Sequence, residues 1–252
     1  MKVRSRHDYE KQLLLAGTWL PVTDSILFAR ATVEQCVKHL VGWRHPNGDQ
    51  RYSSRRVHGD DLASLLSRLL PLEAGQSTKQ LFMATADPAW TAIFDSNWRG
   101  FEPWGPMAWL AQGHISSVAV QDGPHTISSI TNRGFYGCRG FTTAEPSGEL
   151  QPIWSRVRVR AANLRNWELD GPRGFPNGLD WSPDAPRVPD RFTHEHLVSM
   201  ASRYGLRPFD EDFYAPDRTG VILDRHVDEA ARPKEVTLAD ARGETDPPWL
   251  RQ

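Results

Sequence analysis

The chain of 252 residues carries a net charge of −1 at pH 7, and 39% of its residues are hydrophobic. This length allows one large domain or two closely joined ones. The near-neutral charge argues against nucleic acid as a partner, because nucleic-acid binding depends on concentrated positive charge.

Hydropathy and cysteine content bear on where the chain acts. No apolar run reaches the roughly 20 residues of a membrane-spanning helix, and the run Leu13 to Ala16 is too short for a secretory signal. Two cysteines, Cys36 and Cys138, exclude a disulfide framework and fit a reducing compartment. We therefore predict a cytoplasmic protein that does not interact with membranes.

The first half of the chain shows strands and helices in alternation. A capping box of Thr32 and Gln35 marks the start of one helix, and Asp60 or Asp61 caps another that has a leucine stripe. The arginine-rich stretch 44–58 is interpreted as a loop that is either solvated or faces an anion. Hydrophobic periodicity predicts helices at 7–15, 32–43, 62–69 and 103–111, and strands at 25–31, 80–85 and 90–95.

The stretch from Trp90 to Leu110 holds four of the ten tryptophans. Trp90 and Trp109 lie at periodic positions, so we predict that both belong to the core. Trp98 and Trp104 lie between turn signals, where exposed tryptophans commonly anchor a partner or a ligand. These two residues are candidates for a binding surface, with burial in the core as the alternative.

Past Gly113 the pattern becomes a succession of strands separated by glycine and proline turn signals, which suggests hairpins of an antiparallel sheet. Strands are predicted at 115–120, 137–143, 153–161 and 166–169, and a helix capped by Thr193 at 193–204. From residue 215 onward the chain is rich in Asp, Glu, Arg and Pro. Residues 221–223 are predicted as an edge strand, and the end of the chain as a tail.

These elements predict an α+β fold with a mixed or largely antiparallel sheet covered by about four helices. We predict a single domain over 1–214, with two fused halves, 1–112 and 113–214, as the alternative. Residues 215–252 are predicted to form an extended or mobile C-terminal segment.

Spacing gives little support to a catalytic or metal site. His194 and His196 are two residues apart, about 200° around a helix, whereas a zinc-binding pair needs positions i and i+4. Cys138 has an arginine beside it but no recognisable histidine and acid context. No P-loop, G-x-G-x-x-G, G-x-S-x-G or C-x-x-C arrangement occurs. We therefore predict no catalytic residue, no metal and no cofactor.

The most informative charged feature is a strip in which Arg156, Arg158 and Arg160 alternate with Val157 and Val159. Period two places the guanidinium groups on one sheet face over roughly 13 Å and the valines toward the core. Such a strip suits recognition of an anionic group. The alternative is an exposed sheet face whose arginines pair with acids on neighbouring strands.

Two blocks of the sequence are PAWTAIFDSNWRG at 88–100 and DRFTHEHLVSMASRYGLRPFDEDFY at 190–214. Both resemble segments of uncharacterised bacterial α+β proteins. The overall build is similar to the toxin-neutralising immunity proteins of interbacterial competition systems. The resemblance implies a cytoplasmic protein that acts by binding, and neither block contains a catalytic signature.

We therefore predict a protein-binding function, with an immunity-type inhibitor of a bacterial toxin or effector as its specific form. The binding surface would comprise Trp98, Trp104 and the arginine strip, and the partner would present an acidic patch. The alternative is an enzyme that acts on a small anionic substrate through an arginine-lined pocket, using His125 or Cys138. A structural or accessory subunit is the third interpretation.

Overall fold

The computed structural model describes residues 9–44, 52–127, 134–148, 151–175, 180–247 and 249. Over these residues the chain is an α+β protein built on one large antiparallel sheet, which confirms the predicted fold class. The strands are β1 (Ser25–Ala29), β2 (Tyr52–His58), β3 (Leu72–Ala74), β4 (Lys79–Ala84), β5 (Thr91–Asp95), β6 (Ser117–Gly123), β7 (Cys138–Glu145), β8 (Ile153–Ala161), β9 (Trp167–Arg173), β10 (Thr219–Arg225) and β11 (Lys234–Val236).

The helices are α1 (Val33–Arg44), α2 (Leu62–Leu66), α3 (Trp104–Gln112), α4 (Val188–Arg191), α5 (His194–Ser202) and α6 (Leu238–Ala241). The predicted capping box is present at the start of α1, where the Gln35 amide accepts from Thr32 N–H at 2.9 Å and the Thr32 hydroxyl accepts from Gln35 N–H at 3.2 Å. Thr193 caps α5 as predicted. None of the described helices has the length and hydropathy that crossing a bilayer requires.

Nine strands form the large sheet in the order β2-β10-β4-β5-β1-β6-β7-β8-β9, and β3 pairs with β11 beside it. Every pairing of neighbouring strands in the large sheet is antiparallel. Strands from both predicted halves, 1–112 and 113–214, belong to this sheet, because β1 pairs with β5 on one side and with β6 on the other.

The sheet buries both faces, and each face has its own hydrophobic core. Phe28 belongs to the first core, which α2 and α5 cover, whereas its neighbour Leu27 belongs to the second core, which α1 and α3 cover. This separation follows from the period of two, since successive side chains of a strand point to opposite faces. Central strands such as β1 and β5 are therefore apolar through most of their length instead of alternating.

Two expectations about local structure are corrected. Residues 52–58 of the predicted arginine loop form β2, an edge strand in which Val57 is buried and the rest of the side chains are at least partly exposed. The sequence of this strand lacks hydrophobic alternation because most of its side chains are exposed. Backbone pairing with β10, which cannot be seen in the local sequence, holds it in the sheet. Of the helix predicted at 7–15, positions 7 and 8 lie outside the described residues, and positions 9 and 10 are helical. Positive φ at Leu15 and Ala16 interrupts the helix, and a 3₁₀ turn follows at Leu14–Gly17.

The C-terminal segment also differs from its expected form. The strand predicted at 221–223 is β10, which lies between β2 and β4 instead of at the edge. Its pairing partners, β2 and β4, are more than 130 residues away in sequence, so the residues around 221–223 do not indicate that a strand lies on each side. Farther on, Val236 and Ala241 are buried in the first core, and Trp249 packs against it.

Trp90 is buried, with 5% of its surface exposed, whereas Trp109 is only partly buried where it packs against the second core. We expect Trp90→Ala to lower the free energy of unfolding by about 3 to 5 kcal/mol, and Trp109→Ala by about 1 to 3 kcal/mol because its ring buries less apolar surface. Urea unfolding of both variants measures the difference. Equal losses would contradict this assignment of the two tryptophans.

Candidate functional site

The structure gathers Trp104 and the predicted arginines on one face of the sheet. Trp104 is the first residue of α3, and the Cζ atoms of Arg156 and Arg158 lie 5.5 and 5.9 Å from its ring centroid. Trp154, on the same face of β8, packs edge-on against Trp104 at a centroid distance of 6.3 Å. We call these four residues, together with Arg160, the tryptophan-arginine surface.

The predicted alternation along β8 builds this surface. Val157 and Val159 are fully buried in the first core. Arg156 and Arg158 point to the opposite face and are partly exposed, and Arg160 is exposed. One strand therefore supplies both a core contact and a row of cations.

Two of the three arginines pair with acids on the neighbouring edge strand. Arg156 lies 2.7 Å from Asp170, and Arg160 lies 3.0 Å from Glu168, both on β9. The side chains of these pairs are about one-third to one-half exposed, so solvent screens the attraction and the net stabilisation is small. For Arg156 and Arg160 the structure therefore shows the alternative arrangement, arginines that pair with acids across strands.

Arg158 has a different environment. Its Nε donates to the Cys138 sulfur at 3.2 Å, and within the described residues it forms no ion pair with a carboxylate. Burial raises the pKa of the Cys138 thiol, and the Arg158 charge offsets only part of this effect. The thiol is therefore neutral at physiological pH and leaves the arginine charge uncompensated. A protonated thiol is also a poor nucleophile.

Both ring nitrogens of His125 contact main-chain groups. Its Nδ1 accepts from Gly137 N–H at 3.1 Å, and its Nε2 lies 3.2 Å from the Leu164 carbonyl, which requires a proton on Nε2. The ring also packs against Trp167 at a centroid distance of 5.6 Å. With both nitrogens engaged, His125 has no free position for proton transfer in this conformation.

Trp98 lies apart from the tryptophan-arginine surface. It packs against the first core, edge-on to Trp249 at 6.1 Å, with the Arg99 guanidinium 5.0 Å from its ring centroid. The chain then turns at Gly100, where φ is 91°, and buries Phe101 in the second core. The predicted surface of Trp98 and Trp104 is thus split between two sides of the sheet, because the loop that joins the residues passes from one face to the other.

Sequence reasoning missed a buried polar network centred on Asp122. The Asp122 carboxylate is fully buried and accepts from Arg139 Nε at 3.1 Å, from the Tyr9 hydroxyl, and from His194 Nδ1 at 2.7 Å. Arg139 also donates to the Tyr9 hydroxyl at 2.7 Å and to the Phe192 carbonyl at 2.9 Å. The network joins the N-terminal segment, the sheet and the start of α5.

The charges of this network stabilise one another. Burial alone would raise the pKa of Asp122, but the Arg139 charge and the His194 hydrogen bond hold it below its usual range. Asp122 in turn raises the pKa of Arg139 against the desolvation that would lower it. His194, the first residue of α5, thus forms a hydrogen bond with a buried carboxylate. Within the described residues, no group of three His, Cys, Asp or Glu side chains has an arrangement that could hold a metal ion.

The signals that could have found the network are faint. Asp122 and Arg139 each lie in a strand made largely of apolar or small residues, and His194 lies directly after a helix cap. A charged residue in such a strand indicates a buried ion pair or a site, but only the register of β6 with β7 shows that Asp122 lies opposite Arg139.

Comparison with known proteins identified no relative of this chain. No protein-family model, no curated protein and no solved structure matches the chain.

Proposed function

We propose that this chain is a protein-binding protein, of the immunity type that neutralises a bacterial toxin or effector by direct binding. The tryptophan-arginine surface is its contact region, and the partner presents an acidic patch. The observation that carries this proposal is Arg158, a partly exposed cation whose Cζ atom lies over the Trp104 ring at 5.9 Å and which has no carboxylate partner among the described residues.

The surface combines the two residue types that dominate binding hot spots. Trp104 and Trp154 offer large, rigid apolar area, and tryptophan and arginine are the side chains enriched at such anchors. Cation–π contact with the Trp104 ring orients the guanidinium groups of Arg156 and Arg158 while preserving their charge.

Charge gives the surface its preference for an acidic partner. Three arginines face two acids, Asp170 and Glu168, in the cross-strand pairs, which leaves one positive charge in excess. A carboxylate of the partner can approach Arg158 without displacing an existing ion pair. Such complementarity mainly accelerates association and fixes orientation, whereas buried aromatic contacts slow dissociation.

The test is capture of a partner from the native host, followed by co-expression. We expect the Arg156→Ala, Arg158→Ala, Arg160→Ala triple variant to associate about 10 to 100 times more slowly at low salt, with a weaker salt dependence. Trp104→Ala is expected to speed dissociation by a factor of about 30 or more. The captured protein should be toxic when expressed alone and harmless with the wild-type chain.

Arg207 provides a matched control. It also combines an ion pair, with Asp210, and a ring contact, 5.3 Å from the Phe213 centroid, but it lies outside the tryptophan-arginine surface. Arg207→Ala should leave association unchanged. If no protein is captured and the purified chain turns over small anionic substrates, the enzymatic interpretation replaces this proposal.

A further inference from the structure

A cavity of about 440 Å³ lies beside the first core, separate from the tryptophan-arginine surface. This volume falls within the roughly 300 to 1,000 Å³ of small-molecule sites. Its lining includes two acids, one cation and three aromatic side chains: Asp24, Asp240, Arg99, Trp98, Phe135 and Tyr136.

Asp24 is the unusual member of this lining. It directly precedes β1, and its main-chain carbonyl accepts from Asp122 N–H at 2.8 Å. Asp24 belongs to the lining of the cavity, and its buried Oδ1 atom has no hydrogen-bond partner among the residues that the structure describes. Buried polar atoms are almost always paired, so such an exception calls for a functional explanation.

The backbone of Gly100 lies against this carboxyl group but donates no hydrogen bond to it. A Cβ atom at Gly100 would lie 2.3 Å from Oδ1, so only glycine admits this approach. The Gly100 N–H group donates to the Asn97 carbonyl at 3.1 Å and is therefore unavailable to Asp24. Arg99 lies over the Trp98 ring and forms no ion pair with Asp24 in the described structure.

Asp122 is a buried carboxylate with hydrogen-bond donors, and it provides a comparison for Asp24. Asp122 has three donors, and its pKa is lowered. The Oδ1 atom of Asp24 has no donor in the described part of the chain, and burial raises the pKa of this residue well above the usual range. A backbone hydrogen bond joins the two residues, so they lie side by side in the fold. Their pKa shifts have opposite directions because donors reach the Asp122 carboxylate, whereas none within the described residues reaches Oδ1 of Asp24.

We propose that this cavity binds a compact alkylammonium group, with Asp24 as its counter-ion and Trp98 and Tyr136 as an aromatic wall. An ammonium group supplies the hydrogen-bond donors and the positive charge that Asp24 lacks. Aromatic faces attract cations, and the apolar lining accepts the carbon body of the ligand. A second acid, Asp240, disfavours an anionic ligand. The ammonium group belongs either to a free amine or to a lysine side chain of another protein.

The experiment titrates the full chain at pH 8, below the roughly 10.4 pKa of an alkylammonium. The probes are phenethylamine, its neutral counterpart 2-phenylethanol, and Nα-acetyl-lysine amide, and binding is followed by tryptophan fluorescence and calorimetry. We expect at least one ammonium probe to bind at least tenfold more tightly than 2-phenylethanol. Tighter binding of phenethylamine indicates a free amine, and tighter binding of the lysine derivative indicates a protein side chain.

Asp24→Asn is the decisive variant because it keeps the size of the side chain and removes its charge. We expect this variant to bind the ammonium probes at least tenfold more weakly, and to melt no lower than the wild type without ligand because it removes an uncompensated buried carboxylate. Asp240→Asn serves as a second variant with a smaller expected loss. The proposal is overturned if no ammonium probe binds, if the alcohol binds equally well, or if folded Asp24→Asn retains full affinity.

Discussion

Replacing Asp122 by alanine is expected to lower the free energy of unfolding by about 3 to 5 kcal/mol, among the largest losses for a single substitution in this chain. The change leaves the Arg139 guanidinium, whose side chain is 14% exposed, without its counter-ion. It also removes the acceptor of His194 and of Tyr9, so three segments lose their common link. Urea unfolding at pH 7 measures this loss.

The pH dependence separates this effect from a simple loss of packing. The folded-state pKa of Asp122 is lowered, so its ionised form stabilises the fold above the unfolded pKa, and this contribution disappears as pH falls through the folded value. The difference between wild type and Asp122→Asn should therefore shrink toward low pH. A constant difference from pH 7 to the acid limit of folding would contradict the assigned role.

Asp95 is the matched control for burial of a carboxylate. Burial raises its pKa to about 6, although Ser77 and the Asn97 N–H group donate to it. With a raised pKa, ionisation of Asp95 costs stability as pH rises from about 4 through about 6. Asp95→Asn should therefore be neutral or stabilising at pH 7, opposite in sign to the change at Asp122.

Removal of residues 231–252 is expected to destabilise the protein by about 2 to 5 kcal/mol, because the apolar burial that this segment provides outweighs the entropy cost of ordering it. The deletion removes β11, which pairs with β3, and the buried side chains of Val236 and Ala241. It also removes Trp249 from its edge-on packing with Trp98. For a chain of this size the melting temperature should fall by roughly 5 to 15 °C.

A shorter deletion locates the effect. Removing only residues 249–252 takes away the Trp249 ring and leaves β11 and α6 in place. We expect it to lower the melting temperature by less than half as much as the longer deletion. An unchanged melting temperature for the longer deletion would show that the segment contributes nothing to stability, the behaviour predicted from its composition alone.

Local sequence chemistry determined most of the secondary structure of this protein. The capping residues Thr32 and Thr193 set the starts of α1 and α5, because a side-chain acceptor at the cap satisfies backbone N–H groups that have no helical partner. The alternation along β8 determined which side of the sheet receives the arginines, because a strand has a strict period of two. These are properties of a few neighbouring residues, so no distant contact was needed to read them.

Only the tertiary structure decided which of these groups meet. Trp104 joins the arginines and Trp98 does not, because the intervening loop crosses from one sheet face to the other. Within the described residues Arg158 lacks a carboxylate partner while Asp122 has three donors, and both outcomes depend on the register of strands that are far apart in sequence. β10 is interior because β2 and β4 pair with it, although its composition resembles an edge. Pairing between distant strands brings together groups that lie far apart along the chain, and nothing in the local sequence indicates that these groups meet. The tertiary structure therefore decided both the candidate binding surface and the cavity at Asp24.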